Sequence, residues 1–251
     1  MAQGRKEVRF FNQNYERGLG WYERFFPCTA PLPLAIGEFT PGYLFEPSGP
    51  ERVAAMGSAD RFLISFRDPI DRLVSHYRAR QRVDHFRGAL DDFVVAYPHS
   101  VDHGRYATHL ERWLDRFERE QFLIMTFESA IADVDRTKAR LAALLDIDAG
   151  RFSREAGAVA RNQAFSPRQP RLYAGAKRTT RYLRRHDIDW IDRIGEHVKG
   201  RAVRRADSGD RVVVGPELRR RLLNLYRPEV ERLAVLTGLS LEEWPSLATS
   251  A

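Results

Sequence analysis

Two short apolar runs constrain the fold of this 251-residue chain more than any other feature. They lie at residues 61–66 and 121–127, and their near-continuous apolar character is typical of strands covered on both faces. Longer amphipathic segments predict helices at 70–82, 106–119 and 134–145. Because strands that alternate with helices form parallel sheets, the pattern predicts an α/β domain in which the two runs are neighbouring strands.

Weaker patterns complete the predicted outline. Short apolar runs at 8–11 and 34–36 predict two further strands. Pro216 is expected to open a helix that ends near Tyr226, and Pro228 to open a second helix that Gly238 closes, since proline favours the first helical turn. With no Gly/Ser linker, residues 1–251 are expected to form a single domain.

Charge and cysteine content limit the class of partner and the compartment. The formal net charge is +7, and basic residues crowd positions 161–221. That balance suits a polyanion such as nucleotide phosphate, nucleic acid, an acidic polymer or a membrane surface, but charge alone favours a merely solvated surface.

The single cysteine, Cys28, excludes an internal disulfide. Without a signal peptide or a long apolar run, the chain is expected to be cytoplasmic and to have no membrane span.

The most informative segment joins the first strongly predicted strand to the helix after it. Arg67 directly follows the strand, at the edge where open α/β sheets bind ligands. Asp68 is a good N-cap and Pro69 suits the first helical position. Arg72 and Ser75 follow one and two turns later, so the two arginines, the hydroxyl and the helix start could bind one anion. A capped helix with surface arginines is equally compatible with these residues.

This segment resembles the 3′-phosphate-binding segment of sulfotransferases that use 3′-phosphoadenosine 5′-phosphosulfate (PAPS), in the pattern Arg67-x-Pro69-x-x-Arg72-x-x-Ser75-x-Tyr77. Further segments resemble the heparan-sulfate sulfotransferase branch in the same order, at 6–12, 18–22, 37–44 and 225–228. The resemblance implies the three-layer α/β fold of P-loop-NTPase-like sulfotransferases, with a central parallel sheet. It also implies that Arg67 and Ser75, with Arg72, bind the donor.

The resemblance further implies the chemistry. Glu7 would be the general base that takes a proton from the acceptor. The loop at 161–168 would contact the nucleotide through Asn162 and Arg168, with 199–201 as an alternative loop. The expected reaction transfers a sulfuryl group from PAPS, the co-substrate, to a hydroxyl or amine of a carbohydrate or small-molecule acceptor.

No metal and no nucleic-acid partner are expected. His99, His103 and His109 form the nearest histidine cluster, but no carboxylate or cysteine completes a ligand set. No nucleic-acid recognition motif accompanies the basic residues. The alternative function is an inactive sulfotransferase-like protein, or a basic module that binds nucleotides or anionic polymers.

The chain departs from the family in two respects. The family's Pro-Lys-x-Gly-Thr-Thr loop, which binds the 5′-phosphosulfate, is not found, so the first strand and this loop are expected to be missing, through an internal start site or a real loss. The chain as written is then expected to be inactive or nearly so, with a gap or exposed apolar groove beside the sheet. Phe39 replaces the branch's lysine, and Arg9 and Asn12 replace a histidine and an aspartate, which leaves the acceptor open.

Overall fold

The fold is built around a parallel pair of strands. The structure, a computed structural model, describes residues 7–27, 33–152 and 212–244, and the backbone of 165–167 and 203–205. Strand β1 (Phe62–Phe66) pairs in parallel with β2 (Phe122–Thr126), from Phe62 opposite Phe122 to Phe66 opposite Thr126. Between the two strands, the chain forms a long helix directly after β1 and then three shorter helices. The predicted α/β architecture with neighbouring parallel strands is therefore confirmed.

Helices flank this pair along the described chain. They are α1 (Leu19–Glu23), α2 (Gly49–Met56), α3 (Pro69–Val83), α4 (Leu90–Ala96), α5 (His99–Asp102), α6 (Tyr106–Leu114), α7 (Phe127–Ala132), α8 (Val134–Leu145) and α9 (Pro216–Thr237). Single 3₁₀ turns occupy Tyr15–Arg17, Pro41–Tyr43, Arg119–Gln121 and Ala149–Arg151. A separate antiparallel pair joins β3 (Phe165–Pro167) to β4 (Val203–Arg205). The predicted helices at 70–82 and 134–145 match α3 and α8.

The two strands of the parallel pair differ in burial. Every residue of β2 is buried. In β1, Phe66 is buried and packs against Tyr106, whereas Leu63 on the opposite face is 54% exposed. The prediction that both strands are covered on both faces is therefore right for β2 and wrong for β1. Among the described residues, one face of β1 is buried or half-buried, and the other, with Leu63 and Ser65, is exposed.

Neither of the two weaker strand predictions is confirmed. Phe10–Asn14 forms a π-helical turn, in which Phe10 and Phe11 are both buried. The backbone N–H groups of Gln13 and Asn14 both donate to the Arg9 carbonyl oxygen, so the segment turns back on itself instead of extending as a strand. Leu34 and Ile36 lie in an irregular segment and are exposed. Apolar content alone produced both errors.

The predicted pair of C-terminal helices is a single helix. Pro228 lies inside α9, which runs without interruption from Pro216 to Thr237. The buried face continues across the proline through Leu222, Tyr226 and Leu233. Packing of that stripe outweighs the lost backbone hydrogen bond and the ring clash, which together cost about 3 kcal/mol in a helix interior.

Candidate functional site

The carboxyl ends of β1 and β2 lie side by side because the strands are parallel and in register. Arg67 follows β1 and Phe127 follows β2, and the Arg67 guanidinium lies 5.6 Å from the centre of the Phe127 ring. Phe127 is 43% exposed. Arg67 therefore stands where the sequence predicted it, at the ligand-binding edge of the sheet. Phe127 was not singled out from the sequence, because its position depends on the strand register.

The Arg67 side chain makes only long, weak ion pairs with other residues of the described chain. Its Nη2 lies 3.4 Å from Asp71 Oδ2, and its Nε lies 3.9 Å from Glu128 Oε1. Partly exposed ion pairs at such separations contribute little. Its Nε is buried and makes no hydrogen bond to any residue that the structure describes. The side chain is 38% exposed, so its terminal N–H groups remain accessible to an anionic ligand such as a phosphate.

The start of α3 is fixed by the predicted cap. Asp68 Oδ1 accepts hydrogen bonds from the backbone N–H groups of Ile70 (2.9 Å) and Asp71 (3.1 Å), and Pro69 takes the first helical position. Ser75 is exposed and lies four residues after Asp71, so the two share one face of α3. The reach of Arg67 to Asp71 places its guanidinium on the side of the helix that carries Ser75.

Arg72 is turned to another side of α3. Its guanidinium donates a hydrogen bond to the Ser100 carbonyl oxygen and lies beside the hydroxyls of Tyr106 and Tyr226. The Tyr106 hydroxyl, which Arg72 approaches, donates to the Arg67 carbonyl oxygen (2.9 Å), and the donor-binding role of Arg72 stays a prediction.

The predicted nucleotide-contacting loop is described only in part. Asn162 and Arg168 both lie outside the described residues. Between them, the backbone of β3 runs beside α3, the helix that carries Ser75. The loop's path is compatible with the predicted contact, and the roles of its two side chains remain predictions.

Glu7 is held in a short irregular segment before the π-helical turn. Its Oε2 accepts hydrogen bonds from Arg9 Nη2 (2.8 Å) and Arg9 Nε (3.0 Å), and its side chain is 30% exposed. Arg9 has a φ of 58°, an uncommon left-handed conformation for a residue other than glycine. Glu7 thus presents an accessible carboxylate whose position is set by an unusual backbone turn.

A second carboxyl, on Glu38, adjoins Glu7 and was not singled out from the sequence. Both Glu38 side-chain oxygens are buried and make no hydrogen bond that the described residues provide. Burial raises its pKa to about 7, and the nearby charge of Glu7 adds to that rise. The Tyr43 hydroxyl and the Val8 backbone lie close enough to oppose the rise, but neither reaches hydrogen-bond geometry. No sequence pattern distinguishes this carboxyl from a solvated one.

The three histidines of the cluster pack against one another and against the ring of Phe45. His103 stacks on Phe45, with ring centres 3.9 Å apart, and its pKa is lowered to about 4 by burial and then by Arg72. His99 and His109 contact His103 at roughly perpendicular angles. Within the described residues no three His, Cys, Asp or Glu side chains are placed to hold a metal ion.

Part of the positive charge is concentrated on α9. A surface groove of about 300 Å³ is lined by Pro216, Arg219, Arg220, Leu223, Asn224 and Arg227. Arg220 is paired with Glu217 at 2.7 Å, so the groove is not a bare cluster of cations. Among the described residues no helix has the length and apolar character that crossing a membrane requires.

Comparison with known proteins identifies the family. The sequence model of the sulfotransferase domain matches residues 7–166, which is more than half of the chain. The chain belongs to the sulfotransferase family. The match begins at Glu7 and includes β1, β2 and α3, so it contains every described residue that was predicted to bind the donor or act as base.

The relatives of this sulfotransferase are partial matches. It is 30% identical over 136 residues to human heparan sulfate glucosamine 3-O-sulfotransferase 3B1, covering 51% of this chain and 35% of that protein. It is 32% identical over 136 residues to human heparan sulfate glucosamine 3-O-sulfotransferase 6, covering 51% and 39%. The alignment therefore spans little more than a third of these relatives.

The fold also matches a solved sulfotransferase. The structure of a sulfotransferase from Alicyclobacillus acidocaldarius superimposes with a TM-score of 0.60 at 20% identity, covering 91% of this chain and 74% of that one. At this identity the likeness concerns the fold. It confirms the predicted P-loop-NTPase-like sulfotransferase architecture.

Proposed function

We propose that this protein transfers a sulfuryl group from PAPS to a hydroxyl or amine of an acceptor, with a carbohydrate as the first candidate. The observation that carries the proposal is Arg67, which stands at the carboxyl edge of β1 with a side chain that is 38% exposed and, among the described residues, makes only long ion pairs, at 3.4 and 3.9 Å. Membership of the sulfotransferase family supplies the class of reaction. The names of the relatives favour a carbohydrate acceptor.

The roles of the residues follow from their chemistry. Arg67 and Ser75 would hold the 3′-phosphate of the donor, one through charge-assisted hydrogen bonds and the other through its hydroxyl. Glu7 would accept the acceptor's proton as the acceptor oxygen or nitrogen forms its bond to sulfur. The sulfur–oxygen bond to the donor phosphate breaks, and 3′-phosphoadenosine 5′-phosphate leaves with the electron pair.

The acceptor is the less constrained substrate. Phe39 is 50% exposed and lies between Glu38 and Thr40, and Thr40 accepts a hydrogen bond from the backbone of Arg9, two residues after the proposed base. An aromatic ring there can pack against a sugar face or an aromatic acceptor, whereas it offers no charge to an acidic polymer. The acceptor panel must therefore include neutral as well as anionic sugars.

Donor binding tests the first half of the proposal. Titration of 3′-phosphoadenosine 5′-phosphate into the full-length protein should show weakening by about 30- to 150-fold in Arg67→Ala, the equivalent of about 2–3 kcal/mol for a charge-assisted hydrogen bond. Arg61→Ala is the matched control, because Arg61 precedes β1 at its opposite end and has a similarly exposed side chain. Equal affinities in the two variants would contradict the assignment.

Transfer of labelled sulfate from PAPS tests the second half. The panel should contain heparan sulfate oligosaccharides of graded sulfation, neutral oligosaccharides and small phenols. Labelled product from at least one acceptor is expected with a form of the protein that includes the family's 5′-phosphosulfate loop, which the 251-residue sequence does not contain. Tight donor binding without transfer to any acceptor would instead support a nucleotide-binding relative that has lost the activity.

A further inference from the structure

The backbone carbonyl of Arg67 is held by a buried hydroxyl from another part of the chain. Tyr106, the first residue of α6, is 2% exposed, and its hydroxyl donates a hydrogen bond to the Arg67 carbonyl oxygen (2.9 Å). Arg67 is the single residue between Phe66, where β1 ends, and Asp68, the cap of α3. The hydroxyl therefore fixes the peptide plane at the point where the proposed donor-binding side chain leaves the sheet.

The ring of Tyr106 is held independently of its hydroxyl. It packs against Phe66, the residue before Arg67, with ring centres 4.7 Å apart, and against Trp244 with ring centres 6.2 Å apart. Such ring contacts arise from the apolar area and the quadrupole of the ring, which a phenylalanine also has. The hydroxyl can therefore be removed while the ring stays in its site.

The helical turn that carries Tyr106 is anchored as well. The backbone N–H and the hydroxyl of Thr108 donate to the two carboxylate oxygens of Glu229 on α9, at 3.0 and 2.6 Å. Glu229 is 4% exposed, and a carboxylate is favourably placed at a helix N-terminus. Arg105, at the cap position of α6, makes no side-chain capping bond, so Glu229 takes that role from a distant part of the chain. The position of Tyr106 relative to β1 is therefore set by this cap and by ring packing.

A second tyrosine makes the same kind of bond to a carbonyl with no proposed part in donor binding. The Tyr226 ring is fully buried, its hydroxyl donates to the Val101 carbonyl oxygen (2.9 Å), and it too lies beside Arg72. Val101 lies in α5. Tyr106 and Tyr226 thus share burial, hydrogen-bond length and a neighbouring arginine, and they differ in that only Tyr106 holds the backbone of Arg67.

We propose that Tyr106 is a positioning residue for Arg67: its hydroxyl fixes the backbone from which the guanidinium reaches the 3′-phosphate of the donor. The inference rests on the proposed function, in which Arg67 binds that phosphate. It assigns to Tyr106 no contact with donor or acceptor. Hydrogen bonds weaken steeply when their geometry is poor, so a small displacement of the Arg67 backbone weakens the contacts of its guanidinium. Loss of the hydroxyl therefore weakens donor binding through Arg67.

The test is a double-mutant cycle on the affinity of the full-length protein for 3′-phosphoadenosine 5′-phosphate. Tyr106→Phe should weaken binding by about three- to tenfold, which is part of the loss expected for Arg67→Ala. Arg67→Ala removes the guanidinium and keeps the carbonyl to which Tyr106 donates. In that background Tyr106→Phe should change the affinity by less than about twofold, although it breaks the same hydrogen bond.

Tyr226→Phe is the matched control, because it removes an equally buried hydroxyl from a bond of the same length. It should leave the affinity within about twofold of wild type, since its effect on the backbone is confined to α5 and α9. Both variants keep their rings, and urea unfolding establishes that each is folded under the conditions of the titration.

The outcomes separate this inference from the proposed function. A loss in Tyr106→Phe that persists undiminished in the Arg67→Ala background, or that Tyr226→Phe reproduces, would overturn the positioning role alone. Wild-type affinity in Tyr106→Phe beside a weakened Arg67→Ala would do the same. Wild-type affinity in Arg67→Ala would instead overturn the proposed donor site, and the positioning role with it.

Discussion

Asp71 Oδ2 lies 3.4 Å from Arg67 Nη2, so the arginine proposed to bind the donor phosphate already faces a carboxylate one helical turn along α3. The pair is partly exposed and long, which makes it easy to break. Binding of a phosphate would bring three charged groups together, two of them negative. Asp71 would therefore oppose donor binding, although it helps to orient Arg67 while no donor is bound.

Asp71→Asn should tighten the binding of 3′-phosphoadenosine 5′-phosphate by about two- to fivefold, because removal of one partly screened negative charge is worth about 0.5–1 kcal/mol. Isothermal titration at low and high salt should show the gain shrinking as salt rises. Asp91→Asn, in the first turn of α4, changes the net charge equally and should leave affinity unchanged. Weaker binding in Asp71→Asn would mean that orientation of Arg67 matters more than repulsion.

Glu7→Gln should lower kcat for sulfate transfer by about a hundred- to ten-thousandfold while donor affinity stays the same, because the amide keeps the shape and cannot accept a proton. Rapid-quench measurement of one turnover, beside donor titration, separates the two effects. Glu16→Gln, a nearby acidic residue in the Tyr15–Arg17 turn, is the control and should retain full activity. A kcat near wild type in Glu7→Gln would remove Glu7 from the mechanism.

Gly104→Ala should destabilise the protein by about 1–3 kcal/mol, the usual cost of overpacking a core. A Cβ at Gly104 would lie 2.5 Å from the Tyr226 ring, which is fully buried and hydrogen-bonded through its hydroxyl to the Val101 carbonyl. Urea unfolding measures the change. Gly20→Ala is the control, because no atom lies within 4 Å of its Cβ position and alanine favours its helix. Equal stability of Gly104→Ala and wild type would mean that the ring can move aside.

Pro228→Ala should stabilise the protein by about 1–3 kcal/mol, since alanine restores a backbone hydrogen bond inside α9 and relieves the ring clash. The measurement is again urea unfolding. Pro216→Ala, at the first turn of the same helix, should change stability by less than about 0.5 kcal/mol because proline is well suited there. Loss of stability in Pro228→Ala would indicate that the ring makes contacts worth more than the restored bond.

The sequence predicted those features that depend on neighbours in the chain. The parallel strands and the Asp68 cap follow from apolar runs and from helix-start chemistry. The continuity of α9 could not be predicted from the sequence, because packing of its buried stripe outweighs the local tendency of Pro228 to interrupt a helix. The direction of Arg72 also could not be predicted, since it depends on where the Ser100 carbonyl lies after folding.

The raised pKa of Glu38 illustrates the same limit. In the sequence, Glu38 is one of many acidic residues, and it lies shortly before the Pro41-Gly42 turn. Its environment arises from Tyr22, which is distant along the chain, and from the fold of the segment that carries Glu7. Solvation is a property of the packed molecule, so no local pattern could have separated Glu38 from an exposed glutamate.

The carboxylate of Glu128, one oxygen of which lies 3.9 Å from Arg67 Nε, connects this arginine to a buried tryptophan, whose fluorescence can be measured. The other oxygen of the same carboxylate accepts a hydrogen bond from the indole N–H of Trp244 (3.3 Å), and that indole is 1% exposed. An anion that draws Arg67 away would change the field at the indole without exposing it to water. The intrinsic fluorescence of Trp244 should therefore report occupancy of a site that the indole never touches.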